Sequence, residues 1–150
     1  MPELEIDTNR VLDELATLLA TELGGYISEV PGLAQITGIH MSSDYRASGR
    51  EKPYVAVFPT EAQIIDGGQC VVNKRLVVDV SVFIGGPDEE KNSRDMVSYA
   101  DCLESFFLHH RETESLFDIE IQGVEYFSRA SSIEKMASIM IECTTRSSGW

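Results

Sequence analysis

"NKRLVVDVSVFIGG", residues 73–86, alternates over ten residues and then breaks at a double glycine followed by Pro87. Side chains in a strand point to opposite faces with a period of two. Leu76, Val78, Val80, Val82 and Ile84 therefore share one uniformly aliphatic face. Arg75, Val77, Asp79, Ser81 and Phe83 share the other, which mixes two charges, a hydroxyl and an aromatic ring. A strand this long needs cover on its aliphatic side, and the flanking segments supply it.

Upstream, "TNRVLDELATLLATEL", residues 8–23, places Val11, Leu12, Leu15, Leu18, Leu19 and Leu23 on one helical stripe. Asp7 or Thr8 can cap its start, and Gly24-Gly25 is expected to stop it. "GYISEVPGL", 25–33, then reads as a loop, and 34–41 as a short strand. Residues 42–52 have no periodicity and read as an exposed loop. "YVAVFPT", 54–60, resumes a strand in which Pro59 must face an edge or mark an end. "EAQIID" continues it or pairs beside it, and "DGGQ", 66–69, turns it into the strand at 71–84 as a hairpin.

Downstream the period changes to 3.6. Met96, Tyr99, Ala100, Leu103 and Phe107 predict a helix over 93–110, with Asp88, Glu89 and Glu90 favourably placed near its positive end. "FDIEIQGVEYF" is a strand with a bulge expected at Gly123, and "KMASIMIECTTR" returns beside it. On this last strand Ala137, Ile139, Ile141 and Cys143 face one side. Met136, Ser138, Met140, Glu142 and Thr144 face the other.

Two helices cannot cover both faces of a sheet, and tight turns join neighbouring strands. The fold class is therefore α+β: an antiparallel sheet, mixed at most, with both helices on one face, in a single domain over residues 1–150. The chain's 150 residues suffice to bury roughly 70% of the surface exposed when unfolded. The uncovered face then carries Val77, Phe83, Met136 and Met140, an apolar set that marks a surface meant for another subunit.

The net charge of −13 repels phosphate, which argues against a sequence-reading nucleic-acid binder and against docking on anionic lipid. Solubility alone also accounts for it. Mean hydropathy is −0.10, and no apolar run approaches the ~20 residues that span a bilayer. The acidic "MPELEIDTNR" lacks the basic start and apolar middle of a signal peptide, so the expected setting is a cytoplasm. Cys70, Cys102 and Cys143 are widely spaced and read as ordinary thiols.

No catalytic constellation emerges. His40 lies on a short strand, and His109-His110 suit the end of the second helix. The chain has no phosphate-binding glycine loop, nucleophile elbow or metal-ligand spacing. An acid hydrolase using Asp79 and Glu142 is the weakest of the readings weighed. No enzyme, cofactor or metal is expected. In "DYRASGREK", Arg46, Arg50 and Lys52 outnumber the acids and form a mildly positive patch. It reads as a solvated loop or as a contact for an acidic neighbour, either another copy of this protein or a different partner; with Arg75, Val77, Phe83, Met136 and Met140 it completes the candidate interface.

The order of elements resembles the tail-terminator and tail-completion proteins of tailed bacteriophages, in their Mu-like or contractile-tail forms. It runs from the helix "VLDELATLLATEL" through "YVAVFP", the strand "RLVVDVSVFI" and the helix "DMVSYADCLESFF" to the hairpin "FDIEIQGVEYF…EKMASIMIECTTR". The resemblance implies a homo-oligomeric ring, commonly of six copies. Such a ring caps the tail tube, ends its polymerisation, and joins tail to head through the tube protein and a neck or head-completion protein. It uses no cofactor, passes DNA through its channel, assembles in the host cytoplasm and ends in the virion tail. The alternatives are a head-side neck connector of the same architecture and a cytoplasmic acidic binding module or assembly chaperone.

Overall fold

The computed structural model describes residues 6–41, 51–66, 72–128 and 133–145. In chain order they form α1 (Thr8–Ser28), β1 (Ile39–His40), β2 (Tyr54–Asp66), β3 (Val72–Ile84), α2 (Glu89–His109), β4 (Leu116–Ser128) and β5 (Lys135–Thr145). The strands make one sheet in the order β1-β2-β3-β5-β4. Every pairing is antiparallel except β1 on β2, which is parallel, so the sheet is mixed. The α+β architecture expected from the periodicities is the one observed.

The strand quoted first lies in the middle of the sheet. Its aliphatic residues Leu76, Val78, Val80, Val82 and Ile84 are all at most 3% exposed. They belong to one core cluster with Leu12, Leu15 and Leu19 of α1, Leu103 and Phe107 of α2, and Ile139, Ile141 and Cys143 of β5. Both helices thus cover the same face of the sheet.

Helix α1 begins as expected, with the Asp7 side chain accepting the Arg10 amide at 3.3 Å. Its end corrects the expectation of a stop at Gly24-Gly25, because the helix runs through both glycines to Ser28. Each helical glycine costs about 1 kcal/mol relative to alanine. Ile27, wholly buried one turn beyond Leu23, returns about 2 kcal/mol of apolar burial. Gln35 adds to this by donating to the Gly24 carbonyl at 3.1 Å and to Ser28 Oγ at 2.9 Å. The chain leaves the helix at Glu29 and turns at Gly32, whose φ of 81° suits glycine.

A Cβ built on Gly25 meets nothing within 4 Å, whereas one on Gly24 would stand 3.1 Å from Gln35 Oε1. Gly25→Ala is therefore expected to stabilise the protein by about 0.5–1 kcal/mol in urea denaturation, and Gly24→Ala by less. Destabilisation by Gly25→Ala would contradict the continuous helix.

The strand expected over 34–41 is reduced to Ile39–His40. Strand β2 continues through Pro59 to Asp66, with a bulge between Pro59 and Glu61. Val55 donates outward, away from β3, to the Gly38 carbonyl at 3.0 Å. Pro59, four residues on, faces the same outer side, so the donor it lacks is missing from the sheet edge and not from the ladder with β3.

Helix α2 starts at Glu89, four residues before the expected start. The Asp88 side chain accepts the Lys91 amide at 3.2 Å, and Glu89 and Glu90 occupy the first turn. Buried Asn92 donates to Gly86 O (3.1 Å) and Ile133 O (3.0 Å), fastening this turn to the segment before β5. The expected bulge in β4 falls between Ile121 and Gly123, and a second lies between Leu116 and Asp118.

Candidate functional site

Cross-strand register arranges the face away from the helices in rows. Reading from β2 across β3 and β5 to β4, the first row is Tyr54, Phe83, Met136 and Phe127. The second is Ala56, Ser81, Ser138 and Glu125; the third is Phe58, Asp79, Met140 and Gly123. Beyond them come Glu61, Val77, Glu142 and Glu120, then Gln63, Arg75, Thr144 and Asp118.

The first row is closed over along most of its length. Phe83 is only 5% exposed, because Tyr54 stacks on it with centroids 4.8 Å apart and planes 15° from parallel. His40 meets Tyr54 edge-on at 5.5 Å, and Met136 packs against this cluster. The expectation that Phe83 is open to a partner is therefore corrected: its own chain covers it. The reason is register, which brings an aromatic ring from residue 54 opposite residue 83.

Phe127, at the β4 end of the first row, is exposed and Met136 is half-buried; in the second row Ala56, Ser81 and Ser138 are buried as well, and beyond it Phe58 is exposed while Val77 and Met140 are half-buried. Between β3, β4 and β5 lies a pocket of about 330 Å³ lined by Asp79, Gln122, Gly123, Glu125, Phe127, Met136, Ser138 and Met140. One oxygen of Asp79, Oδ1, is closed off from solvent and accepts no hydrogen bond among the described residues. Burial raises the Asp79 carboxyl above its ordinary value, and the neighbouring Glu125 charge raises it further. Ser81 and Ser138 satisfy one another across the strands at 3.1 Å.

At the far end Arg75 Nε contacts Glu142 Oε1 at 2.9 Å. Glu142 is thus occupied by a base, and the carboxylate that acts on Asp79 is Glu125, a different residue from the one the hydrolase reading paired with it. Across these rows six acids (Glu61, Asp79, Asp118, Glu120, Glu125, Glu142) face one base, Arg75. The face carries apolar side chains interspersed among six acids.

Of the other predicted interface residues, Lys52 reaches Glu134 Oε1 at 2.7 Å, an ion pair within the chain. Arg46 and Arg50 lie outside the described residues, as does Cys70. Cys102 and Cys143 are buried free thiols, and burial pushes Cys143 up to about 12. His109 and His110 each place Nδ1 near a last-turn carbonyl, Ser105 O at 2.8 Å and Phe106 O at 3.0 Å. Among the described residues no group of three or more His, Cys, Asp or Glu side chains is placed to hold a metal ion.

Sequence reasoning missed Glu125, Phe127 and Ser138 as partners of Met136, Met140 and Asp79. The signal was available in the bulge it predicted: shifting the alternation of β4 by one residue at Gly123 turns Glu125 and Phe127 to the open side.

No protein-family model matches the sequence, and no curated protein matches it. Among solved structures, the fold is similar to a chain of the structure described as "Virion of native gene transfer agent (GTA) particle". The match has a TM-score of 0.57 at 6% identity and covers 90% of this chain and 93% of that one. At that identity the likeness establishes a shared arrangement of elements.

Proposed function

We propose that this chain is a structural protein of a phage-like virion. Within it, the chain is a subunit of the ring that caps the tail tube, ends its polymerisation and joins tail to head. The observation that carries the proposal is the fold likeness to a virion chain, which extends over nearly the full length of both. A sheet face left uncovered by its own helices, with half-buried methionines at its centre, supports a part that works by contact. In a closed ring, copies meet head to tail through different surfaces, which leaves such a face available to the next component. The partners on this reading are further copies of the chain, six in the ring, the tail tube protein and a neck or head-completion protein, with DNA passing through the channel.

The test is imaging and light scattering of the purified chain, alone and mixed with a tail tube protein. Rings, and tubes whose growth stops when the chain is added, are expected. A monomer under both conditions overturns the proposal. A second reading, an acidic module that chaperones a basic protein, is favoured by the charge of the open face. It predicts a one-to-one complex that weakens steeply with salt and never closes into a ring.

A further inference from the structure

The pocket at Asp79 has an unmet requirement. Two carboxylates, Asp79 and Glu125, line it together, Glu125 acts on Asp79, the enclosed Oδ1 of Asp79 has no donor of its own among the described residues, and the remaining walls include Phe127 and the side chains of Met136 and Met140. Two acids, with Gln122 and Ser138 as the other polar side chains of the lining, fall short of the six or more oxygens that a calcium ion takes. A planar guanidinium suits all the walls at once. It can fork onto two carboxylates, lie against an aromatic face, and shed its hydration more readily than an ammonium. The volume, about 330 Å³, admits one long side chain.

We propose that this pocket receives an arginine side chain from a different protein, docked on the open sheet face. The occupant assigned is a different protein and not a second copy of this chain: two such faces brought together would oppose acid to acid, and a net charge of −13 sets copies against one another through any surface. The eight described arginines and lysines each have an ion-pair or hydrogen-bond partner within their own chain, while Arg46, Arg50, Arg129 and Arg146 lie outside the described residues. A basic partner surface that also presents apolar side chains matches this face in both respects. The inference requires only a protein partner and is independent of the virion role proposed above.

The test uses the full chain labelled at its methionine methyls, titrated with Nα-acetyl-arginine amide and with its uncharged isostere, Nα-acetyl-citrulline amide. Met136 and Met140 signals are expected to move saturably with arginine and not with citrulline. Met96, on α2, is expected to stay still. Asp79→Asn, close in shape to the native residue, is expected to weaken the arginine response about tenfold or more. Glu125→Gln, a change on an exposed side chain that spares the fold, is expected to weaken it less. Equal responses to the two probes, an unchanged response in Asp79→Asn, or no movement of Met136 and Met140 would each overturn the site. A stronger response to Nα-acetyl-lysine amide overturns the choice of arginine. Movement of the same signals on raising protein concentration alone overturns the choice of a different protein, since it makes a second copy the occupant.

Discussion

Phe106→Ala is expected to lower the unfolding free energy by about 3–5 kcal/mol, much of the ~5–15 kcal/mol that holds a domain of this kind together. Phe106 is fully buried where the two helices meet. Its ring stacks on His110 with centroids 4.5 Å apart and meets Phe107 edge-on at 5.0 Å and Tyr26 at 6.1 Å. Truncation forfeits apolar burial and opens a cavity between elements that packed side chains hold apart. The same ring also fixes Tyr26, in the last turn of α1, so the change loosens the helix pair as well as the sheet beneath it. Urea denaturation reads the effect. Leu108→Ala, two residues on and 54% exposed, is the matched control and should move stability by no more than about 0.5 kcal/mol. A loss below about 1.5 kcal/mol for Phe106→Ala would show that this junction is not where the helical layer is held.

The second large effect is expected at Glu14. Its carboxylate accepts three hydrogen bonds from the segment entering β4: Thr113 Oγ1 at 3.0 Å, the Ser115 amide at 2.9 Å and Ser115 Oγ at 2.7 Å. Arg10 Nε stands 3.4 Å away on the solvent side. Bonds to a charged, part-buried acceptor are stronger than neutral ones, and their donors are left without a partner when it goes. Glu14→Ala is expected to cost about 2–3 kcal/mol and to speed amide exchange at Ser115 and Leu116 selectively. Glu14→Gln keeps one acceptor oxygen and should cost less. Unchanged exchange at Ser115 in Glu14→Ala would mean that the segment is held by Thr113 and Leu116 themselves, which bond to one another through Thr113 N–H and Leu116 O at 2.8 Å.

Glu14 shows why a residue can be identified from sequence while its work stays hidden. In the amphipathic pattern of α1 it is one acid among several on a solvated face, and solubility explains it. Its partners lie about 100 positions away, a distance that no helical period reports. Asp79 is a similar case. Its place on the outer face follows from alternation within β3, but its neighbours Glu125, Phe127 and Met136 come from other strands. A bulge at Gly123 decides which side of β4 two of them face. Phe83 reads as open because nothing near it in sequence covers it; the cover is Tyr54, set opposite by pairing with β2.

The amino-acid sequence determined, by itself, which residues of β3 and β5 face the core, where the two helical stripes run, and that two helices can cover only one side of the sheet. Those features depend on periodicities of two and 3.6 residues, which local backbone geometry imposes on any chain with these side chains. Tertiary structure alone decided that α1 continues through Gly24 and Gly25, that β1 joins in parallel, that Phe83 is enclosed, and that Asp79 shares a pocket with Glu125 and two methionines. Each of these depends on contacts between segments far apart in the chain, whose combined burial and pairing outweigh the local preferences of the residues concerned.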